Sequence, residues 1–284
     1  MTSVLVDRVC GSNFAYQHHS LEQCFDDLAA LDRTQVELWG VAPHAHVDLL
    51  SDGDARSIRS LAADRGLEIV CFTPEQVMYP VNIAAADDTW RAASISTFHR
   101  AAQLAIELGA QRLLLTSGRG QEDEPRRSAW IRATDSLGEI TAYAAALGLD
   151  CVLEPLQRVE SNLVVTADDA ALMLSQVASP ALGVVLDTVA ANAAGDSIDD
   201  YFAALGDRVR HVHLIDGSPT GHLAWGDGCL PLGDIVTALD RQGYLGAATI
   251  ELFGDGRYAL DPRPVLARSL DAVAGVCAVS NDAE

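Results

Sequence analysis

The sequence predicts a single α/β domain, a closed (β/α)8 TIM barrel, from three observations. Eight short apolar runs of the kind that form buried strands occur along the chain. Longer segments with helical periodicity separate them, an alternation typical of parallel sheets built from βαβ units. Eight strands is the number that closes a barrel, and the length of 284 residues is close to the usual size of that fold.

The predicted strands are short segments rich in Val, Ile and Leu, bounded by polar or glycine-containing segments. In chain order they are Val4–Val9, Gln35–Trp39, Glu68–Phe72, Gln111–Thr116, Asp150–Glu154, Leu182–Asp187, Val209–Leu214 and Ala248–Leu252. In such barrels the active site lies at the C-terminal ends of the strands. Side chains at those ends are therefore the first candidates for function.

The predicted helices occupy the intervals between the strands. Among them are Leu21–Leu31, Ala55–Arg65, Trp90–Leu108, Ser128–Leu147 and Asp168–Val177. A glycine follows the helical segment and precedes the next strand at Gly66, Gly109, Gly148 and Gly243. This is the position of a C-terminal helix cap, so the helix ends agree with the strand positions.

No linker, repeat or low-complexity segment divides the chain. One domain is predicted over residues 1–274, with 275–284 as a frayed tail and a small extra element around Tyr79–Asp88. No apolar stretch reaches membrane-spanning length, and the N-terminus lacks a basic and apolar leader. We therefore expect a cytoplasmic protein, whose scattered cysteines are reduced core residues.

The charge of the chain excludes several classes of function. The formal net charge is −21, which argues against nucleic acid as a partner because such proteins usually present a basic face. All 19 basic residues are arginines, and the sequence contains no lysine. This absence excludes Schiff-base and pyridoxal-phosphate lysines and the lysine of a P-loop.

Four side chains that can bind a metal stand at the C-terminal ends of the last four predicted strands: Glu154, Asp187, His213 and Glu251. Burying one unpaired carboxylate is costly, so these groups imply a shared partner, most simply a divalent metal. An oxygen-rich set suits Mn²⁺, Co²⁺ or Mg²⁺ better than a structural zinc. We expect Mn²⁺, with Co²⁺, Mg²⁺ and Zn²⁺ as alternatives.

The same four residues indicate proton transfer beside a carbonyl. A metal in this position can polarise a carbonyl and a neighbouring hydroxyl, acidify the C–H bond between them and stabilise the resulting enediolate. Glu154 and Glu251 come from non-adjacent strands and are placed to flank a bound substrate. They are the predicted acid/base pair of the reaction.

The strings around these residues resemble the sugar-phosphate isomerase/epimerase superfamily, with its xylose-isomerase-like barrel. The matching motifs are LEPL at 153–156, LDT at 186–188, HVHLID at 211–216 and IEL at 250–252. Within the superfamily, the chain is most similar to the ketose 3-epimerases of the fructoselysine 3-epimerase type. That similarity continues through VELWG at 36–40, FTPE at 72–75, LEPLQRVESN at 153–162 and HLAWGDG at 222–228.

The resemblance implies a divalent-metal-dependent isomerase that epimerises a ketose, or a fructosamine-like ketose conjugate, at C3. It implies the four residues above as metal ligands, a small sugar as substrate, and a homodimer or homotetramer. It also places Glu160 and His222 in the substrate pocket. Further candidates for substrate contact are Glu37, His44, His211 and Trp225. Glu37 could equally pair with a nearby histidine or the backbone, and His211 could support the ligand His213 from the same strand. His44, with His46, could be merely exposed or could bind a second metal. Trp39 could also form a wall of the site, but it is expected in the core.

Two positions depart from the epimerases of free ketohexoses. These usually carry a substrate-contacting His three residues after the ligand Asp, where this chain has Ala190. They also carry an Arg six residues after the ligand His, where this chain has Pro219. The departures count against a simple psicose or tagatose epimerase and leave room for a bulkier substrate.

Other reactions on the same barrel remain open. An aldose–ketose isomerase, or a lyase, dehydratase or C-glycoside-cleaving enzyme, would begin with the same proton abstraction. A barrel that binds metal and sugar without catalysis is a further alternative. An apurinic endonuclease shares the fold but needs a histidine-rich zinc site and affinity for DNA, which the charge of −21 disfavours.

Overall fold

The structure, a computed structural model, describes residues 5–77 and 80–279. Its eight strands form a closed barrel in sequence order, and every neighbouring pair is parallel. The strands are β1 (Val9–Ser12), β2 (Gln35–Gly40), β3 (Glu68–Pro74), β4 (Arg112–Thr116), β5 (Asp150–Glu154), β6 (Leu182–Asp187), β7 (Val209–His213) and β8 (Ala248–Ile250). The prediction of a (β/α)8 barrel is confirmed.

Helices connect the strands around the outside of the barrel. They are α1 (Leu21–Ala30), α2 (Asp52–Ala63), α3 (Asp88–Leu108), α4 (Arg126–Ala146), α5 (Ala167–Val177), α6 (Thr188–Ala194), α7 (Ile198–Leu205), α8 (Leu232–Arg241) and α9 (Pro262–Val279). Helix α2 begins earlier than predicted because Ser51 and Asp54 form a capping box at its N-terminus. The four predicted glycine caps all have positive φ, between +67° and +77°.

The first strand is the main correction to the predicted elements. We predicted Val4–Val9, but the strand is Val9–Ser12, and Val4 lies outside the described residues. Residues 6–8 form a short 3-10 turn, while Val9 pairs with Ala248 and Gly11 with Val36. The β-branched run resembled a strand, whereas the true strand is made of small residues. A Cβ on Gly11 would lie 2.9 Å from a methyl of Leu28 on α1, so the glycine allows that helix to pack closely against β1.

The chain ends differ in part from the predicted tail. Helix α9 continues through Val279, so residues 275–279 are helical, while 280–284 lie outside the described residues. Of the extra element expected around Tyr79–Asp88, Tyr79 lies outside the described residues, and residues 80–87 form turns before α3. No helix in the described part of the chain is long and apolar enough to cross a membrane.

Apolar side chains pack on both faces of the barrel sheet, but the interior at the C-terminal ends of the strands is polar. Leu113, Leu115, Leu153 and Leu186 belong to the large core between strands and helices. Because side chains alternate along a strand, their neighbours point into the barrel. There a small cluster of Cys71, Leu114, Val152 and Val185 packs. The inward positions nearest the C-terminal ends carry the polar residues of the site.

Candidate active site

The last four strands bring the predicted metal-binding side chains to one point. Glu154, Asp187 and His213 end β5, β6 and β7, and Glu251 directly follows β8. Nδ1 of His213 lies 2.8 Å from Oε1 of Glu154, 3.5 Å from Oε2 of Glu251 and 3.7 Å from Oδ2 of Asp187. All four residues are buried.

The arrangement fits a divalent cation. Nδ1 of His213 is buried and has no hydrogen-bond partner among the described residues, although three carboxylate oxygens lie within 4 Å of it. Ligand atoms of Glu154, Asp187 and His213 all lie within 4.8 Å of one another, and Glu251 forms a second such group with Asp187 and His222. Carboxylate oxygens and an imidazole nitrogen in this arrangement suit a divalent cation. Glu154, Asp187, His213 and Glu251 are the residues that would hold it.

The charges around the cluster are strongly coupled. Burial alone would lower the pKa of His213, but Glu37, Glu251 and Glu154 outweigh it and hold that pKa well above its usual value. Burial raises the pKa of Glu154 to about 7, against the opposing effect of His213. The cluster therefore has a strong negative potential, which a bound cation would neutralise.

Glu37 lies behind His213 rather than in the cavity. Its Oε1 is 3.2 Å from Nε2 of His213 and its Oε2 is 2.7 Å from Nε2 of His211, while Thr73 donates to Oε1 at 2.5 Å. Burial would raise the pKa of Glu37, but the two imidazoles outweigh this and hold it well below its usual value. If Nε2–H is donated to Glu37, a neutral His213 would direct the lone pair of Nδ1 at a cation held among the three carboxylates.

His222 stands on the cavity side of the cluster. Its Nδ1 lies 2.8 Å from Oε2 of Glu251, and its carbonyl accepts hydrogen bonds from the backbone of Phe253 and Gly254 at 3.0 and 2.8 Å. Burial lowers the pKa of His222, but Glu251 and the acids around it raise it to about 9. The loop after β7 is thus tied by its backbone to the segment that follows Glu251.

Asp216 organises the loop that carries His222. Its buried carboxylate accepts four backbone N–H groups at 2.8–3.1 Å, two on each oxygen. The donors are Gly217, Gly226, Gly228 and Leu230. A Cβ at Gly228 would lie 2.3 Å from Oδ1 of Asp216, so only glycine fits there. This explains the acid of HVHLID and the second glycine of WGDG.

A cavity of about 370 Å³ opens above the cluster and is called here the main cavity. Five carboxylates line it, and no arginine occurs among its described lining residues. They are Glu75, Glu154, Glu160, Asp187 and Glu251. Phe14, Trp39 and Phe253 form an aromatic wall, with ring centroids 4.2 and 5.2 Å from that of Phe14. A larger cavity of about 460 Å³ lies outside the barrel between α6, α7 and α8, away from the cluster.

Of the six residues predicted to contact substrate, the structure places Glu160 and His222 in the lining of the main cavity. It does not place Glu37, His211, His44 or Trp225 there. Glu37 and His211 are fully buried beneath the cluster, because inward positions deeper in the barrel do not reach its mouth.

His44 and Trp225 have structural partners instead. Nε2 of His44 lies 2.8 Å from the carbonyl of His19, and its Nδ1 lies 2.9 Å from the amide nitrogen of Asn13. Trp225 is 3% exposed and donates its indole N–H to the carbonyl of Leu214. Both side chains hold loops together, which leaves them no face toward the main cavity.

Several lining residues were missed from the sequence. Trp39, expected in the core, belongs to the aromatic wall with Phe14 and Phe253. Glu75 and Gln157 also line the cavity, directly after β3 and three residues after β5. Their positions just beyond a strand end were the available signal. Of the two departures, Ala190 lines the cavity, whereas Pro219 does not occur in its described lining.

The chain is similar to known sugar epimerases along most of its length. Residues 25–274 match the family model described as xylose isomerase-like TIM barrel. The chain is 32% identical over 258 residues to fructoselysine 3-epimerase of Shigella flexneri, covering 90% of this chain and 93% of that protein. It is 24% identical to D-psicose 3-epimerase of Agrobacterium fabrum over 86% of this chain and 84% of that protein.

Solved structures agree in fold. The crystal structure of D-psicose 3-epimerase with D-tagatose from Clostridium cellulolyticum H10 superposes with a TM-score of 0.80 at 20% identity. The match covers 95% of this chain and 99% of that chain. A structure of L-ribulose 3-epimerase gives the same TM-score at 22% identity, over 95% and 94% of the two chains.

Proposed function

The chain belongs to the xylose isomerase-like TIM barrel family, and we propose that it is a divalent-metal-dependent 3-epimerase of a ketose or a ketose conjugate. Its curated relatives are named fructoselysine, psicose, ribulose and ketose 3-epimerases, and the chain is an enzyme of the isomerase class. Epimerisation at C3, the metal and the roles of individual residues are the content of the proposal.

The observation that carries the proposal is the meeting of Glu154, Asp187 and Glu251 at Nδ1 of His213. Glu154 ends β5 and Glu251 follows β8, with β6 and β7 between them, so a substrate in the main cavity would lie between their carboxylates. One carboxylate takes the proton of C3 from one face. The other returns a proton to the opposite face, which inverts the configuration at that carbon.

A divalent cation bound by the four residues would act as a Lewis acid on the carbonyl and the adjacent hydroxyl of the sugar. Mn²⁺ is the proposed ion, with Co²⁺, Mg²⁺ and Zn²⁺ as alternatives that an oxygen-rich set also accepts. Glu37, 3.2 Å from Nε2 of His213, would hold that ring so that Nδ1 remains available as a metal ligand.

The charge of the main cavity restricts the substrate. Its described lining contains five carboxylates, one histidine and no arginine, and the chain has no lysine. Even after a divalent cation neutralises part of this charge, a phosphorylated sugar would find no arginine or lysine there, and the one histidine, His222, is already paired with Glu251. An uncharged or cationic ketose is therefore favoured over a sugar phosphate.

Solvent-deuterium incorporation followed by NMR tests the proposal. The Mn²⁺-loaded protein is incubated in D₂O with ketohexoses, ketopentoses and fructosyl-amines, and the reactions are repeated with EDTA. We expect metal-dependent exchange at C3 together with a new epimer. Exchange at C2 of an aldose product would indicate an aldose–ketose isomerase instead. Loss of water or of the amine would indicate a lyase or dehydratase.

We further propose a cytoplasmic homodimer or homotetramer. The free thiols of Cys10, Cys24, Cys71 and Cys151 are buried, as suits a reducing compartment. Light scattering coupled to size-exclusion chromatography checks the assembly, since a mass equal to one chain of 30.1 kDa would contradict it.

A further inference from the structure

A second cavity of about 210 Å³ opens beside the main cavity and is called here the side compartment. The two share five lining residues and are therefore directly adjacent. These are Gln76, Val77, Thr116, Leu156 and Glu160. A substituent of a ligand bound above the cluster would enter the side compartment past these side chains.

The chemistry of the lining changes along this path. Glu160, Leu156 and Val77 line both cavities, and the last two provide apolar surface at the junction between them. Val81 and Trp90 line the side compartment but not the main cavity. Arg119 also lines only the side compartment, and it brings the guanidinium that the main cavity lacks. A substituent would thus meet an acid, then apolar side chains, then a cation.

The junction offers hydrogen-bond acceptors without donors to match them. One carboxylate oxygen of Glu160 accepts the backbone N–H of Gln157 at 3.1 Å, and Glu160 has no ion pair with a described arginine or histidine. Gln157 is 7% exposed, and its side-chain Oε1 has no hydrogen-bond partner among the described residues. The carboxylate of Glu160, without an ion-pair partner, favours a ligand group that donates, such as an ammonium.

Arg119 is held in place but is not neutralised. It donates to the carbonyl of Val159 at 2.6 Å and to Oε1 of Glu122 at 2.7 Å. The same Glu122 also binds Arg158 at 2.9 and 2.6 Å, so one carboxylate serves two guanidinium groups. Since a guanidinium has five N–H donors, three on Arg119 are left for a ligand.

The side chain of Asn82 fixes the loop that carries Arg119. Oδ1 of Asn82 accepts the backbone N–H of Arg119 at 3.0 Å, and Nδ2 of Asn82 donates to its carbonyl at 2.8 Å. Gly118 has φ +68°, and a Cβ there would lie 2.4 Å from Oδ1 of Asn82. The backbone at Gly118 and Arg119 is thus held in one conformation, so Arg119 is preorganised for binding.

We infer that the side compartment is the subsite for the substituent of a ketose joined through an amine to a chain that ends in a carboxylate. Glu160 receives the ammonium, Leu156 and Trp90 contact the apolar chain, and Arg119 binds the carboxylate. The inference rests on the proposed function, because the ketose itself occupies the main cavity above the cluster.

A matched pair of substrates tests it on the Mn²⁺-loaded protein. One is fructose linked to the side-chain amine of lysine, and the other is fructose linked to 1,5-diaminopentane, which lacks only the carboxylate. We expect kcat/KM for C3 exchange to be roughly tenfold or more higher for the first, the range of a hydrogen bond between charged groups. Fructose and fructose 6-phosphate complete the series, and we expect the phosphate to be the poorest of the four.

Variants assign the preference to its residue. In Arg119→Gln, the ratio of kcat/KM for the two substrates of the matched pair is expected to lie within about twofold of unity. The variant loses the hydrogen bond between the guanidinium and the carboxylate, which is the contact that distinguishes the two substrates. Arg158→Gln is the matched control, since it removes the other partner of Glu122 and does not belong to the described lining of either cavity. It is expected to keep the wild-type ratio.

Equal kcat/KM for the matched pair in the wild type would overturn the subsite, as would an unchanged ratio in Arg119→Gln. A preference for fructose 6-phosphate would also overturn it, because Arg119 would then bind a phosphate and Glu160 would not bind an ammonium. Exchange on free fructose with neither conjugate accepted would leave the epimerase intact and refute the subsite. If no ketose exchanges, the proposed function fails, and calorimetric binding of the two conjugates still decides whether the carboxylate is recognised.

Discussion

Glu37 is the residue that sets the orientation of His213, although it does not touch the main cavity. It accepts from both buried histidines of β7 and from Thr73, so each of its oxygens has at least one hydrogen-bond partner. A carboxylate behind a metal-ligating imidazole fixes the ring and increases its basicity. The cluster therefore extends one layer deeper into the barrel than its proposed ligands.

We expect Glu37→Gln to lower the affinity for Mn²⁺ by roughly 10–100-fold, the usual effect of removing such a partner. The amide cannot accept from both imidazoles through two charged oxygens, so His213 loses its fixed orientation. Titration calorimetry with Mn²⁺ measures the change. Glu68→Gln, at the opposite end of the barrel, is the control, and an affinity equal to that of the wild type in Glu37→Gln would refute the role.

Glu154 and Glu251 carry the proposed proton transfers. Replacing either with Gln keeps its size and removes the group that exchanges the proton, so C3 exchange should fall by roughly 10²–10⁴-fold. The midpoint of thermal unfolding is measured on the same samples. The exposed Glu139→Gln serves as the control. Wild-type exchange rates in either variant would refute the mechanism, whatever the stability.

His44 makes the loop after β2 sensitive to acid. Burial lowers its pKa, although the carbonyl of His19 and the charge of Glu22 oppose this. With Nε2–H donated to that carbonyl, Nδ1 accepts from Asn13, and protonation would set two donors against each other. The pKa of His44 is lower in the folded than in the unfolded state. Neutral His44 therefore contributes its full stabilisation above about pH 6.5, and that contribution is lost as the pH falls below this value.

We therefore expect the free energy of unfolding to decrease between pH 7.5 and pH 5, and to decrease less in His44→Asn. Urea denaturation at both pH values measures the difference. His46→Asn, two residues further along the same loop, is the matched control. An identical pH dependence in the wild type and His44→Asn would show that another group is responsible.

At the scale of elements, the loop between β7 and α8 is the most highly organised connection around the site. Asp216 binds four of its backbone N–H groups, and Tyr258 and Arg268 bind Asp227 from the C-terminal segment. The loop positions His222 against Glu251. Its shape is thus part of the geometry of the site.

We expect Asp216→Ala to lower the free energy of unfolding by about 3 kcal/mol or more, because buried N–H groups lose a charged acceptor. The KM for the sugar should rise as well, since His222 is no longer held. Urea denaturation and steady-state kinetics measure the two effects. Asp207→Ala, in the turn before β7, is the control. A variant with normal stability and KM would refute the role of Asp216.

At the scale of the whole molecule, the closed barrel makes the metal a link between distant parts of the chain. The four proposed ligands come from β5 to β8 and span residues 154–251. A cation that binds only the folded barrel stabilises it by mass action, by about 2.7 kcal/mol at a concentration of 100 times Kd.

For a chain of this length we expect Mn²⁺ at that concentration to raise the Tm by roughly 5–10 °C relative to EDTA. Differential scanning calorimetry measures the shift. Asp187→Asn, which removes one proposed ligand, should lose most of it. A Tm independent of Mn²⁺ in the wild type would contradict a metal site at this cluster.

The sequence by itself determined the eight-stranded barrel, its family and the four residues that meet above β5 to β8. Strand ends are local features, and parallel closure brings all of them to one face, so Glu154, Asp187, His213 and Glu251 could be grouped from spacing alone. Only the tertiary structure decided which neighbouring side chains face the cavity. Glu37 and His211 lie too deep, His44 and Trp225 are held by backbone carbonyls, and Trp39 turns toward the opening. Depth along a strand and the partners of a side chain depend on contacts between distant residues, which no local pattern records.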